Sequence, residues 1–357
     1  MILRRGAALL VALGLAACER GVRADDPRLR WEGRTDRDAH AVRFAWPRTA
    51  VHLRYRGSRV HARITDHAYA DRIPDNDVLG VQVDDGPVQR LALAEGTHEY
   101  TLAQGADGET HTLRVVKLTE AEAGTVTLRT VRIDGTGLLL AAPPAPTRRM
   151  LAIGDSITAG YGAAGADARC HYDVRWADAD TTFVSRAAAT LHADLQVLAW
   201  SGRGVWRNLN AEDRETLPVL FSRTIPTEPA SRWDPSRWVP DDVVFNVGTN
   251  DVMRAGFDDG RFERALDAFV GRVMALAPRA RVVLTVGPLL HDDVPASGSR
   301  SRQRVLAAHA RVAARHGATL LTFGAASNAE GSGCDHHPGA ATHARMAAAL
   351  VNALRAQ

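Results

Sequence analysis

Beyond Met150 the chain reads as short, continuous apolar runs separated by helical text, and this alternation constrains the fold more than any other feature. MLAIGD, LQVLAWS, DVVFNVG, RVVLTVG and ATLLTF are too short for helices and lack period-two polarity, as expected of strands covered on both faces. Between them FVSRAAATLHADL, FERALDAFVGRVMAL and RVLAAHARVAARHG carry helical spacing. In the second of these Phe262, Leu266, Phe269, Val273 and Leu276 share one side, and MAAALVNALRA predicts a last helix. Strands alternating with helices need right-handed crossovers, so the expectation is an α/β fold with a doubly wound parallel sheet. A site in such a sheet lies beyond the carboxyl ends of the strands.

Upstream, residues 26–140 follow a different period. Val51, Leu53 and Tyr55 alternate with polar partners in VHLRYRG, and Val60, Ala62 and Ile64 do so in VHARITD. HTLRVVKL and GTVTLRTVRIDG follow after turn signals, so this stretch predicts an all-β sandwich. Pro143, Pro144 and Pro146 then form a stiff joint that cannot continue a sheet interior. A length of 357 residues fits this division into a sandwich and an α/β domain spanning 150–357. The net charge is only +3, with Lys117 the sole lysine and no basic stripe to track a phosphate backbone, which argues against nucleic-acid binding.

The first eighteen residues, MILRRGAALLVALGLAAC, place Arg4 and Arg5 before an apolar run from Ala7 to Leu15. That is the layout of a secretory signal rather than of a membrane span. Leu15, Ala16, Ala17 and Cys18 resemble the lipobox of bacterial lipoproteins, in which the cysteine is lipidated and becomes the first mature residue. The expectation is an exported, membrane-anchored protein, in the periplasm, at the outer membrane or on the cell surface. Export would leave Cys170 and Cys334 in an oxidising compartment, where a disulfide between them is expected.

Polar motifs follow three of the predicted strands: GDSIT, SGRG and GTND. A fourth, CDHHP, precedes the last helix. Gly160, Gly162 and Gly165 match the spacing of a dinucleotide loop, but Ser156, Ile157, Thr158 and Ala159 separate them from the strand, whereas such a loop starts at its end. His336, His337 and His343 beside Asp335 invite a zinc reading, which would leave Ser156 and Asn250 without roles, so no metal is expected.

Together the four motifs resemble the SGNH (GDSL-type) hydrolase superfamily over residues 150–357. VKLTEAEAG, AWSGRG and GCDHHP narrow the resemblance to carbohydrate esterase family 2, acetylxylan esterase-like enzymes with a jelly-roll domain ahead of the hydrolase. The resemblance implies a flavodoxin-like sheet and a serine esterase that removes acetyl groups from oligo- or polysaccharides without any cofactor. It implies Ser156 as nucleophile and His337 as base, with an oxyanion hole built from the N–H groups of Ser156 and the block-two glycine and the amide of Asn250. Gly204 is matched to that glycine, with Gly202 as the alternative.

The third triad member departs from the family pattern. Cys334 stands where most relatives carry the carboxylate, and Asp335 is only two residues before His337. Either the Asp335 side chain bends back to the imidazole, or a main-chain carbonyl orients it and the enzyme is a dyad. Asp155, Asp251, His336 and His343 read as scaffold or loop residues, whereas Trp176, Trp200, Trp206 and Tyr161 are candidates for stacking on sugar rings. Lipid esters, other acylated glycans and glycan binding without turnover are the alternative functions.

Overall fold

The alternating residues of VHLRYRG lie in the strand Ala50–Arg56, where Leu53 and Tyr55 point into the core between two antiparallel sheets. A computed structural model describes residues 21–69, 76–105, 109–134, 137–324 and 332–356; Cys18 lies outside them. In one sheet Gly124–Ile133 pairs with Arg59–Ala68, which pairs with Gly96–Gln104, while Val42–Phe44 and Asp36–Arg37 extend the other side. The facing sheet runs Leu138–Leu140, Ala50–Arg56, Thr110–Lys117, Val78–Val83 and Gln89–Ala92. Val60, Ala62 and Ile64 face this core from the first sheet, as their period-two spacing requires. Residues 141–147 form neither strand nor helix.

The third sheet is parallel and five-stranded, in the order Ala193–Ala199, Arg148–Gly154, Asp242–Asn246, Arg281–Val286 and Thr319–Thr322. The chain order 2-1-3-4-5 puts the topological switch between the first strand and its two neighbours, where a doubly wound sheet opens a crevice. Helices Phe183–Thr190 and Ala340–Arg355 cover one face, and Asp259–Leu276 and Ser301–His316 the other. Two expectations need correction. Leu276 is 39% exposed, because the helix ends on it and the buried stripe is completed by Val270 instead. Thr319–Thr322 is only partly buried at its edge of the sheet, whereas the opposite edge strand, Ala193–Ala199, is buried throughout.

The antiparallel and parallel parts share an interior. Ala45, Trp46 and Ala121 are buried in the same core as Leu151, Phe245 and Phe221 of the α/β part. Burying a side chain such as Trp46 stabilises by roughly 2–3 kcal/mol. Polar ties cross the same boundary: Arg114 pairs with Asp180, and the buried Glu32 carboxylate accepts the Leu195 N–H at 3.1 Å. No helix among the described residues is long and apolar enough to cross a membrane.

Candidate active site

The parallel strands end in register, with Gly154 opposite both Ala199 and Asn246, so the loops that follow them converge. Gly154 admits no side chain, because a Cβ there would lie 2.1 Å from Thr158 Oγ1 and 3.0 Å from the Asn246 carbonyl. Asp155 caps the next turn by accepting the Ile157 N–H at 3.1 Å, which makes Ser156 the first helical residue. The Ser156 N–H therefore has no intrahelical acceptor, as at any helix start. Burial pushes the Asp155 carboxyl up to about 7, and nearby Asp251 adds to the rise.

Ser156 Oγ lies 2.9 Å from His337 Nε2. The other ring nitrogen, Nδ1, lies 3.2 Å from the main-chain carbonyl of Asp335. A carbonyl can only accept, so Nδ1 carries the proton and Nε2 is left as the lone-pair base facing the serine hydroxyl. Of the two alternatives for orienting the imidazole, the main-chain carbonyl is the one present, and Asp335, offered as a catalytic carboxylate, turns its side chain to other partners. Its carboxylate accepts from the Tyr161 hydroxyl and the Tyr172 N–H, both at 2.9 Å, and His171 Nδ1 lies 3.1 Å away. The backbone supplies the reason. Asp335 and His336 adopt left-handed φ of 50° and 63°, which turns the carboxylate outward and the carbonyl toward His337. Such non-glycine conformations cost roughly 1–3 kcal/mol each and need external restraint. Restraint comes from the Cys170–Cys334 disulfide, the Asp335 N–H bonded to the Cys170 carbonyl at 2.9 Å, and the Cys334 N–H bonded to the Gly162 carbonyl at 3.1 Å.

Tyr161 differs from its expected role as a sugar platform. Its ring is held between Tyr172, with centroids 4.1 Å apart, and the imidazole of His337 at 4.2 Å. Trp200 is likewise core, buried beneath the Arg203 guanidinium, while Trp176 and Trp206 are half-buried. Burial lowers the His337 pKa below its ordinary 6.5, opposed by the Asp335 carbonyl and carboxylate. The neutral form is the base, so activity should persist below pH 6.5 and fall as acidity protonates the ring at its depressed pKa. A low-pH midpoint of kcat/KM below 6.5 is the expected profile. A midpoint near 7 would contradict it and point to a buried carboxyl such as Asp155, itself pushed up to about 7.

Asn250 sits in the turn Thr249–Val252 after the third parallel strand, 6% exposed. Its amide nitrogen donates to the Arg203 carbonyl at 2.9 Å, which leaves one of its two hydrogens without an acceptor among the described residues. The block-two assignment also changes. Gly204 donates its N–H to Asn208 Oδ1 at 3.1 Å and is walled in, since a Cβ would lie 2.5 Å from Asp251 Oδ2. Gly202, at φ 76°, has no acceptor for its N–H among the described residues, so it and not Gly204 is the open donor. Asp251 holds this loop by accepting the N–H groups of Val205, Trp206 and Arg207 at 3.0, 2.8 and 3.1 Å. Burial pushes its carboxyl up to about 6.

His343 is buried, with Nδ1 accepting the Phe183 N–H at 3.2 Å, and His336 is exposed. Among the described residues no cluster of three His, Cys, Asp or Glu side chains is arranged to hold a metal ion.

The model of the GDSL-like lipase/acylhydrolase family matches residues 152–345, more than half of the chain. The chain belongs to that family. The carbohydrate esterase 2 N-terminal model matches residues 31–143 of the same hydrolase. An acetylxylan esterase / glucomannan deacetylase of Cellvibrio japonicus is 28% identical over 344 residues, covering 94% of this chain and 90% of that protein. A family two carbohydrate esterase from Clostridium thermocellum, solved with cellohexaose, superposes with a TM-score of 0.84 at 27% identity, over 92% of this chain and 98% of that one. The corresponding Cellvibrio japonicus esterase gives 0.84 at 25% identity, over 94% and 97%.

In this hydrolase Asp335→Asn should lower kcat only a few-fold, because the imidazole is oriented by a carbonyl that the substitution keeps. A loss of several hundred-fold in steady-state assays would show that the carboxylate reaches His337 during turnover.

Proposed function

We propose that the chain is a serine esterase that removes O-acetyl groups from oligo- or polysaccharides of the hemicellulose class through an acetyl-enzyme. The observation that carries this reading is the Ser156 hydroxyl 2.9 Å from His337 Nε2, at the start of a helix whose first N–H is open. His337 takes the hydroxyl proton as Ser156 Oγ attacks the acetyl carbonyl carbon. The resulting oxyanion meets the N–H groups of Ser156 and Gly202 and the free amide hydrogen of Asn250. Collapse breaks the bond to the sugar oxygen, which leaves with the proton from His337. Water, deprotonated by the same imidazole, then cleaves the acetyl-serine and acetate departs. The named activities of the Cellvibrio japonicus relative and the cellohexaose bound to the Clostridium thermocellum esterase support carbohydrate as the acyl carrier.

Acetate released from acetylated xylan, glucomannan and peptidoglycan, measured separately, tests the substrate class. Release from a plant-type polysaccharide with an acetyl-only preference supports the reading. Turnover confined to octanoyl or longer esters would replace it with a lipid esterase. We further propose that the chain is exported and anchored by a lipid on Cys18, from the charged, apolar and small-residue order of its first eighteen residues. Cys18→Ser should move the protein from the membrane pellet to the soluble fraction, and an unchanged partition would contradict the anchor.

A further inference from the structure

VKLTEAEAG belongs to the antiparallel half of the chain, yet one of its side chains ends in the loop of the hydrolase site. Glu120 is 2% exposed, and its carboxylate accepts the Ser201 N–H at 2.6 Å and the Ser201 hydroxyl at 2.5 Å. Its own backbone is held in turn by Lys117, the only lysine of the chain. The fully buried Lys117 ammonium pairs with Asp77 and donates to the Glu120 carbonyl at 2.8 Å and to Thr119 Oγ1 at 3.1 Å. A buried cation that meets so many oxygens fixes them firmly, because none of its bonds can be exchanged for water.

Ser201 immediately precedes Gly202, and one peptide plane carries the Ser201 carbonyl and the Gly202 N–H. Two bonds from one carboxylate fix both the backbone entry and the side-chain rotamer of Ser201, which leaves the orientation of that plane little freedom. Gly202 offers no side chain to steady itself, and a glycine at φ 76° has many alternative conformations. The geometry points to Glu120 as a positioning residue that reaches out of the sandwich to aim the Gly202 N–H at the acyl oxyanion. On this inference, which rests on the esterase reading above, the antiparallel half does more than cover the fold: it completes the catalytic site of the other half.

An oxyanion donor aimed by Glu120 acts in the transition state and little in substrate binding, so kcat should carry the effect. Glu120→Leu fills a similar space but offers no acceptor to either the Ser201 N–H or its hydroxyl. Its kcat on an acetyl ester should fall about tenfold or more, with KM within about threefold of wild type. A smaller fall in kcat, or one matched by a rise in KM, overturns the inference. If Glu120→Leu does not fold, Ser201→Ala decides, since it removes only the hydroxyl bond. A fall in kcat of about threefold or more at unchanged KM supports the role, and a smaller one overturns it. Ser156→Ala measured alongside separates the two levels: activity surviving in it defeats the esterase reading itself, whereas its loss with Glu120→Leu unimpaired defeats only the role of Glu120.

Discussion

Ser156→Ala is expected to lower kcat/KM on acetyl esters by about 10⁴-fold or more, with the thermal midpoint nearly unchanged. The size follows from what the substitution removes. In the proposed mechanism the hydroxyl forms the acyl bond, and without it the site can only direct water at a bound ester, aided by the remaining N–H groups. Stability should hold because the Ser156 side chain has one polar partner among the described residues, His337, whose Nε2 can turn to water in a site that stays partly open. His337→Ala should cost a similar factor, and the double variant little more than either alone, since nucleophile and base act as one unit. Steady-state rates of the three variants check this, with additive losses as the result that would separate the pair.

Asn250→Ala carries the second large effect: kcat should drop about 10²–10³-fold, equivalent to roughly 2.7–4 kcal/mol of transition-state stabilisation. KM should move little, because the amide hydrogen meets the oxygen strongly only once that oxygen is charged. The variant should also be less stable by about 1–3 kcal/mol, since it strips the donor from the buried Arg203 carbonyl. Thermal melting and kinetics therefore read different functions of one side chain. A variant that loses stability but keeps its kcat would restrict Asn250 to holding the loop.

The doubly wound sheet was legible because its continuous apolar runs mark strands buried on both faces, and three polar motifs fell at the ends of those runs. Sequence periodicity also placed Val60, Ala62 and Ile64 on the inner face of the sandwich. What escaped the sequence depends on backbone rotation or on distant partners. Spacing offered Asp335 as the third triad member, but two successive left-handed residues present its carbonyl instead, and nothing in CDHHP encodes that turn. Gly204 and Gly202 fit the same motif. They separate only when Asn208 is seen to occupy one N–H and leave the other open. Glu120 was visible as part of a family-like phrase, yet its bond to Ser201 spans 81 positions and follows from packing alone. Leu276 obeyed the helical period and still emerged exposed at the last residue of its helix, where Val273 and Ala277 carry the buried face.

In the proposed mechanism Ser156, activated by His337, forms the covalent intermediate. Inactivation by diethyl p-nitrophenyl phosphate, followed by peptide mapping, tests it most directly, because a phosphorylated serine is stable where an acetylated one turns over. Activity should be lost in step with one adduct per chain, located on Ser156. An enzyme inactivated by an adduct on another residue, or one fully active with Ser156 modified, would contradict it.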